Sequence, residues 1–165
     1  MKLRRVINGQ KTIKDVGSWK TGERMPRTAF PVRGAGFKVP GKYTWRIVRF
    51  SCEGESFRLL MAYRLDLQRA MFYLGKEVRS EMLVLCRYEY HAGEPGWHMH
   101  CICDDEGKAC GRLVCDDKRL PHWSSFHREL ALGITRAEDA YRRADRVFRL
   151  SKTPPHELEG QPWQA

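Results

Sequence analysis

Two imidazoles separated by one residue, His98 and His100, are the pair in this chain best suited to chemistry. If the run Trp97–Asp104 (WHMHCICD) is a strand, its period of two puts His98, His100, Ile102 and Asp104 on one face. Both rings then address the same space and can share one ion. Trp97, Met99, Cys101 and Cys103 fall on the other face, a row of large or soft apolar groups suited to a core. The preceding run Met82–Tyr90 (MLVLCRYEY) sorts in the same way, with Tyr88, Cys86 and Val84 toward the core and Glu89, Arg87 and Leu85 on the histidine side. Ala92-Gly93-Glu94-Pro95-Gly96 is a strong turn signal, so a hairpin delivers Glu89 beside His98. Two imidazoles and one carboxylate leave coordination positions open. That suits a divalent ion that also takes a phosphate oxygen, Mn²⁺ or Mg²⁺ first and Zn²⁺ as a chemical alternative. His91 and Glu94 sit in the turn and read as solvated, while His122 and His127, near Trp123 and Phe126, read as packing residues.

The chain holds six cysteines, and four of them (Cys101, Cys103, Cys110, Cys115) cluster as C-x-C, six residues, then C-x4-C. A structural zinc site is the alternative use of that cluster, but the spacing differs from C-x2-C knuckles and two of the four fall in the core-facing row. No apolar run approaches the length of a membrane span, and Met1-Lys2-Leu3-Arg4-Arg5 is not followed by the apolar stretch of an export signal. A cytoplasmic location with reduced thiols is the expectation.

Charge is placed unevenly. The net charge is +10, and residues 1–42 alone hold eleven Lys/Arg against Asp15 and Glu23. The partner expected for such a segment is polyanionic, with nucleic acid first. Six glycines, three prolines and the aromatics Trp19, Phe30 and Phe37 interrupt it. Regular structure is not expected to run far, and basic residues interleaved with aromatics suit phosphate contacts and base stacking. Arg4, Arg5, Lys11, Lys14, Lys20, Arg24 and Arg27 are the candidate contacts, and a protein partner for the same arm is a further expectation.

The elements that must position the histidines read as follows. Tyr43–Ser51 (YTWRIVRFS) is a strand, and Glu53-Gly54-Glu55 a turn. The spacing of Phe57, Leu60, Met61, Leu67, Met71 and Leu74 predicts a helix over 56–74 ended by Gly75. The hairpin follows, then a short strand over Ala109–Cys115. Helices are expected over Ser124–Leu132, stopped by Gly133, and Thr135–Leu150, started by a Thr135-x-x-Glu138 capping box. The fold class is α+β, an antiparallel sheet with helices on one face. Residues 1–42 form a basic arm, 43–152 the domain and 153–165 a tail.

The run Tyr88-Glu89-Tyr90-His91-Ala92-Gly93-Glu94-Pro95-Gly96-Trp97-His98-Met99-His100 resembles the metal-binding hairpin of HUH endonucleases, above all the replication initiators of plasmids and phages. The resemblance covers about fifteen residues well and the domain loosely. It implies a ferredoxin-like or RRM-like palm, a metal held by Glu89, His98 and His100, and single-stranded DNA as substrate. It further implies a tyrosine on a later helix that attacks the metal-polarised phosphate, leaving a 5′-phosphotyrosine and a free 3′-hydroxyl. Tyr141 holds that position by order in the chain, flanked by Arg142, Arg143, Arg146 and Arg149 as phosphate contacts. The chain departs from the family in carrying Ala144 where initiators have a lysine three residues after the tyrosine, and Trp45-Arg46-Ile47-Val48 where they have a Thr-rich strand. Two functions follow: a metal-dependent nicking endonuclease, or a non-catalytic nucleic-acid-binding or interaction module on the same fold.

Overall fold

The computed structural model describes residues 3–32, 37–93, 96–102, 109–112 and 129–150, with the backbone alone for 102 and 109–112. Seven antiparallel strands follow one another across a single sheet in chain order: β1 (Thr12–Asp15), β2 (Thr44–Cys52), β3 (Glu55–Arg64), β4 (Arg69–Val78), β5 (Glu81–Tyr90), β6 (His98–Ile102) and β7 (Ala109–Arg112). Two helices, α1 (Leu3–Asn8) and α2 (Ala137–Phe148), complete an α+β fold. The order is a meander of hairpins without a crossover, so the β-α-β-β start of a ferredoxin-like palm is not present among the described residues.

The helix expected over 56–74 is instead the β3–β4 hairpin, with Leu59 opposite Leu74 and Met61 opposite Phe72. Both faces of these strands are covered. Phe57, Leu59, Met61 and Tyr63 enter one core, Leu60 and Ala62 the other. A strand buried on both faces reads as a continuous apolar run, which spacing alone does not separate from a helix. Gly75 does not end a helix. It lies within β4, where a Cβ would stand 2.7 Å from Met82 Cε and 3.0 Å from Phe30 Cζ.

On the first face, α1 and α2 cover a core that includes Val48, Phe72, Tyr88, Trp97 and Met99, with Leu3, Val6 and Ile7 of α1 and Ala140, Ala144 and Phe148 of α2. Arg149 joins the helices by donating to Asn8 Oδ1 at 2.9 Å. The expected capping box is displaced by one residue. The Asp139 carboxylate, not Glu138, accepts from the Thr135 hydroxyl at 2.7 Å, the Thr135 amide at 3.0 Å and the Arg136 amide at 3.2 Å. These bonds hold its pKa below the usual carboxylate range.

On the second face, the N-terminal segment packs Met25, Phe30 and Val39 against Trp45, Ile47, Leu60 and Met82. The arm expected to hold little structure is thus folded onto the sheet over much of its described length. Lys20 pairs with Trp45 through two backbone bonds of 2.9 Å, and the Trp45 indole donates to the Glu23 carbonyl at 2.9 Å. Arg58, itself paired with Glu77 at 2.7 Å, donates to the carbonyls of Thr28 and Ala29 and so fixes the 3-10 turn Arg27–Ala29.

Residues 129–132, expected to end a helix, are irregular, and the rest of that expected helix lies outside the described residues. So do Glu94, Asp104, His122, His127, Cys103, Cys115 and the tail from 151. Among the described residues no helix is long and apolar enough to cross a membrane.

Candidate metal centre

The β5–β6 hairpin sets the site. Register places Glu89 opposite His98 and Arg87 opposite His100. Because Tyr88 and Met99 enter the helix-covered core, Glu89, His98 and His100 project from the opposite face, as the strand period predicts. Lower in β5 the expected alternation fails. A bulge between the Leu74–Cys86 and Gly75–Val84 pairs turns Leu85 into the helix-side core and Val84 onto the N-terminal segment, the reverse of their expected places. The bulge lies below Cys86, so the positions of Arg87 and Glu89 are unaffected.

Trp97 anchors the entry to β6. Its amide donates to the Glu129 carbonyl at 3.0 Å, its indole to the Leu132 carbonyl at 3.0 Å, and its ring stacks on Tyr88 with centroids 4.6 Å apart. Gly96, at φ +76°, makes the turn into the strand, a conformation that favours a residue without a Cβ. Its carbonyl lies 3.1 Å from His98 Nδ1. If that nitrogen carries the proton, Nε2 presents a lone pair to the cluster, which is the usual orientation of a metal-bound imidazole.

One carboxylate oxygen collects the other groups. Glu89 Oε1 lies 3.4 Å from His98 Nε2, 3.3 Å from His100 Nε2 and 4.0 Å from His91 Nε2. The donor atoms of Glu89, His91 and His98 all lie within 4.8 Å of one another. The His98 ring meets those of His91 and His100 edge to face at 5.0 and 5.2 Å. Metal–ligand bonds of about 2.0–2.1 Å at tetrahedral angles hold donors roughly 3.4 Å apart, so the Glu89–His98 spacing fits a shared cation. His100 reaches the same Glu89 oxygen but is not one of the three donors grouped within 4.8 Å. His98 is buried and Glu89 nearly so, whereas His100 and His91 reach solvent on one side. His91, read as a solvated turn residue, joins the cluster. The signal for it was its place two residues after Glu89, which returns it to the same face.

Arg87 completes the electrostatics. Its Nη2 lies 2.8 Å from Glu89 Oε1, while its buried Nε has no acceptor among the described residues. Tyr73 lies opposite Arg87 on β4. Burial pushes the Tyr73 hydroxyl's pKa up, and Arg87 beside it opposes that rise.

Tyr141 lies elsewhere. It packs on the helix-side core beneath the Arg46 guanidinium, 5.0 Å from its ring centroid, on the other face of the sheet and toward β2. Burial raises its pKa. In one chain its hydroxyl does not reach an ion held by Glu89, because the sheet stands between them. Arg143 is turned inward. It is buried against Glu129, donates to the Tyr88 hydroxyl at 3.3 Å and lies over Trp97.

The remaining predicted contacts divide between the faces. Arg4, Arg5, Arg142 and Arg146 are exposed on the two helices, and Lys14 on β1. Lys11 turns back to the Ile7 and Gly9 carbonyls. Lys20 is half-buried, and Arg24 and Arg27 are exposed on the N-terminal segment that packs on the face carrying Glu89, His98 and His100. The described thiols are separate from the cluster. Cys86 and Cys101 pair across β5–β6 as buried free cysteines on the helix side, and the Cys110 side chain, with Cys103 and Cys115, lies outside the described residues. Comparison with protein-family models, curated proteins and solved structures finds no match to this chain.

Proposed function

We propose that the chain binds single-stranded nucleic acid at a divalent-metal centre formed by Glu89, His98 and His100, with His91 as a fourth donor. The observation that carries this reading is the convergence of three imidazole nitrogens on a single Glu89 oxygen at 3.3–4.0 Å. Up to three imidazoles and one carboxylate favour Zn²⁺ or Mn²⁺ over the harder Mg²⁺. The part-exposed Arg87 guanidinium beside the centre supports an anionic ligand, because its outer N–H groups can donate to a phosphate oxygen. The basic N-terminal segment on the same face supports a polyanion.

The second reading keeps the nicking reaction that the resemblance to HUH endonucleases implies, and changes its nucleophile. Tyr73, on the metal-bearing face and opposite Arg87, favours it. In that reaction the Tyr73 oxygen bonds to the scissile phosphorus, the bond from phosphorus to the 3′-oxygen breaks, and the products are a 5′-phosphotyrosine and a 3′-hydroxyl. Incubation of the full chain with end-labelled single-stranded oligonucleotides and Mn²⁺ separates the two readings. A covalent adduct lost in Tyr73→Phe and kept in Tyr141→Phe is the outcome for nicking through Tyr73. An adduct lost only in Tyr141→Phe overturns that assignment. Metal-enhanced binding without cleavage leaves the binding reading alone, and no binding of any single strand overturns both.

A further inference from the structure

The N-terminal segment contains a cavity of about 290 Å³. Met25, Phe30 and Val39, all buried, form its floor, the half-buried Phe37 ring its wall, and the exposed Arg24, Arg27 and Lys38 its rim. An apolar floor, one partly open aromatic ring and a cationic rim are the requirements for a nucleobase stacked below its own backbone phosphate. The cavity is fixed rather than collapsed. The Phe30 ring packs 5.6 Å from Phe37 and, through Gly75, against the sheet, while Arg58 holds the Thr28 and Ala29 carbonyls.

Its position links it to the metal centre. The Phe37 ring meets Tyr73 edge to face at 4.9 Å, Tyr73 lies opposite Arg87, and Arg87 lies opposite His100. From Tyr73 to the centre is two strand spacings, roughly 10 Å, along one face of the sheet. A short run of nucleotides covers that path without passing the sheet edge.

We propose that this cavity is a nucleotide subsite, taking one base of a single strand against Phe37 and its flanking phosphates on Arg24 and Lys38. The proposal rests on the reading of the chain as a single-strand binder and extends it to a second point of attachment, independent of the metal. The test is fluorescence anisotropy of a labelled oligothymidylate with the full chain in EDTA, so that removal of the metal centre and removal of the subsite are read separately. Phe37→Ala is expected to weaken binding about tenfold, and Phe37→Trp to retain it. The exposed pair Arg24→Gln/Lys38→Gln is expected to lower the slope of log affinity against log salt by about 1.4, about 0.7 for each phosphate that is no longer neutralised. An abasic strand of the same length should bind about tenfold more weakly than oligothymidylate. Equal binding of the abasic strand overturns the subsite, as does wild-type affinity in a folded Phe37→Ala. Should Phe37→Ala not fold, the Trp variant serves in its place. Quenching of its added fluorescence by oligothymidylate, relative to wild type, supports the subsite, and no added quenching overturns it.

Discussion

Replacing Glu89 by glutamine keeps the side chain's shape and removes the one charge on which three imidazoles and Arg87 converge. In the wild type, free ion at a hundred times its dissociation constant stabilises the native state by about 2.7 kcal/mol. Each kcal/mol moves the melting temperature of a chain this long by about 2–4 °C, so metal should raise it by about 5–11 °C. A carboxylate bonded directly to the ion accounts for much of the affinity, whereas an outer partner is worth tenfold to a hundredfold. A hundredfold loss in Glu89→Gln leaves about 0.4 kcal/mol of stabilisation at the same ion concentration, a shift of only about 1–2 °C. Without metal the substitution also removes the anion from Arg87, a loss on the order of 1 kcal/mol. The two effects separate in thermal unfolding followed with EDTA and then with Zn²⁺, Mn²⁺ or Mg²⁺. A metal-induced shift equal in wild type and Glu89→Gln refutes the centre, and so does a wild type that shifts with none of the three ions at millimolar concentration.

Two further substitutions test the scaffold. Gly75→Ala places a methyl group 3.0 Å from Phe30 Cζ and 2.7 Å from Met82 Cε. The methionine end can swing aside but the ring cannot, so a loss of about 1–2 kcal/mol in chemical denaturation is expected, and an unchanged midpoint would show the Phe30 seat to be loose. Asp139→Asn weakens the cap of α2 by about 1 kcal/mol at neutral pH. Since the folded-state pKa of Asp139 lies below its unfolded value, its contribution is complete above the ordinary range near 3.9 and is lost as pH falls through the folded value. The stability difference between wild type and Asp139→Asn should therefore close in acid, and a difference constant down to pH 2 would remove the carboxylate from the cap.

The local signals that the sequence carries without ambiguity are those that need one covered face. In Trp97–Cys101 the apolar and polar positions alternate, and the structure keeps both rows. Glu53-Gly54 turns with both residues at positive φ, as a tight hairpin requires. The Leu59-Leu60-Met61-Ala62 run carries no such alternation because each face of the sheet has its own core, and the reversal at residues 65–68 contains neither glycine nor proline, with Gln68 itself at φ +46°. A helix was the natural reading of that stretch. The extra residue at Leu85 is equally silent in sequence, since a bulge is fixed by what packs above and below it.

The cluster was legible because Glu89 lies opposite His98 on two strands joined by one turn, with His100 two residues further on the same face, so register alone brings these side chains to one side of the sheet. A catalytic tyrosine has no such constraint. Tyr141 satisfies the chain order that the resemblance implies, yet the side of the sheet it occupies is decided by how α2 packs: Ala140, Ala144, Val147 and Phe148 are buried in the core opposite the centre. Tyr73, the tyrosine proposed in its place, falls within the segment whose spacing predicts a helix, and only as a strand residue does it lie opposite Arg87. The same correction changes the placing of the basic arm. Packed through Phe30 and Phe37 against Tyr73, it brings Arg24 and Arg27 onto the face that carries Glu89, His98 and His100, while Arg142 and Arg146 remain on the other. A nucleic-acid strand bound along the second face would meet Phe37, Tyr73, Arg87 and the proposed centre in succession. Charge on α2 can then add affinity only through a strand that passes round the sheet edge. Arg142→Gln/Arg146→Gln should therefore leave the binding of a short oligothymidylate nearly unchanged where Arg24→Gln/Lys38→Gln weakens it.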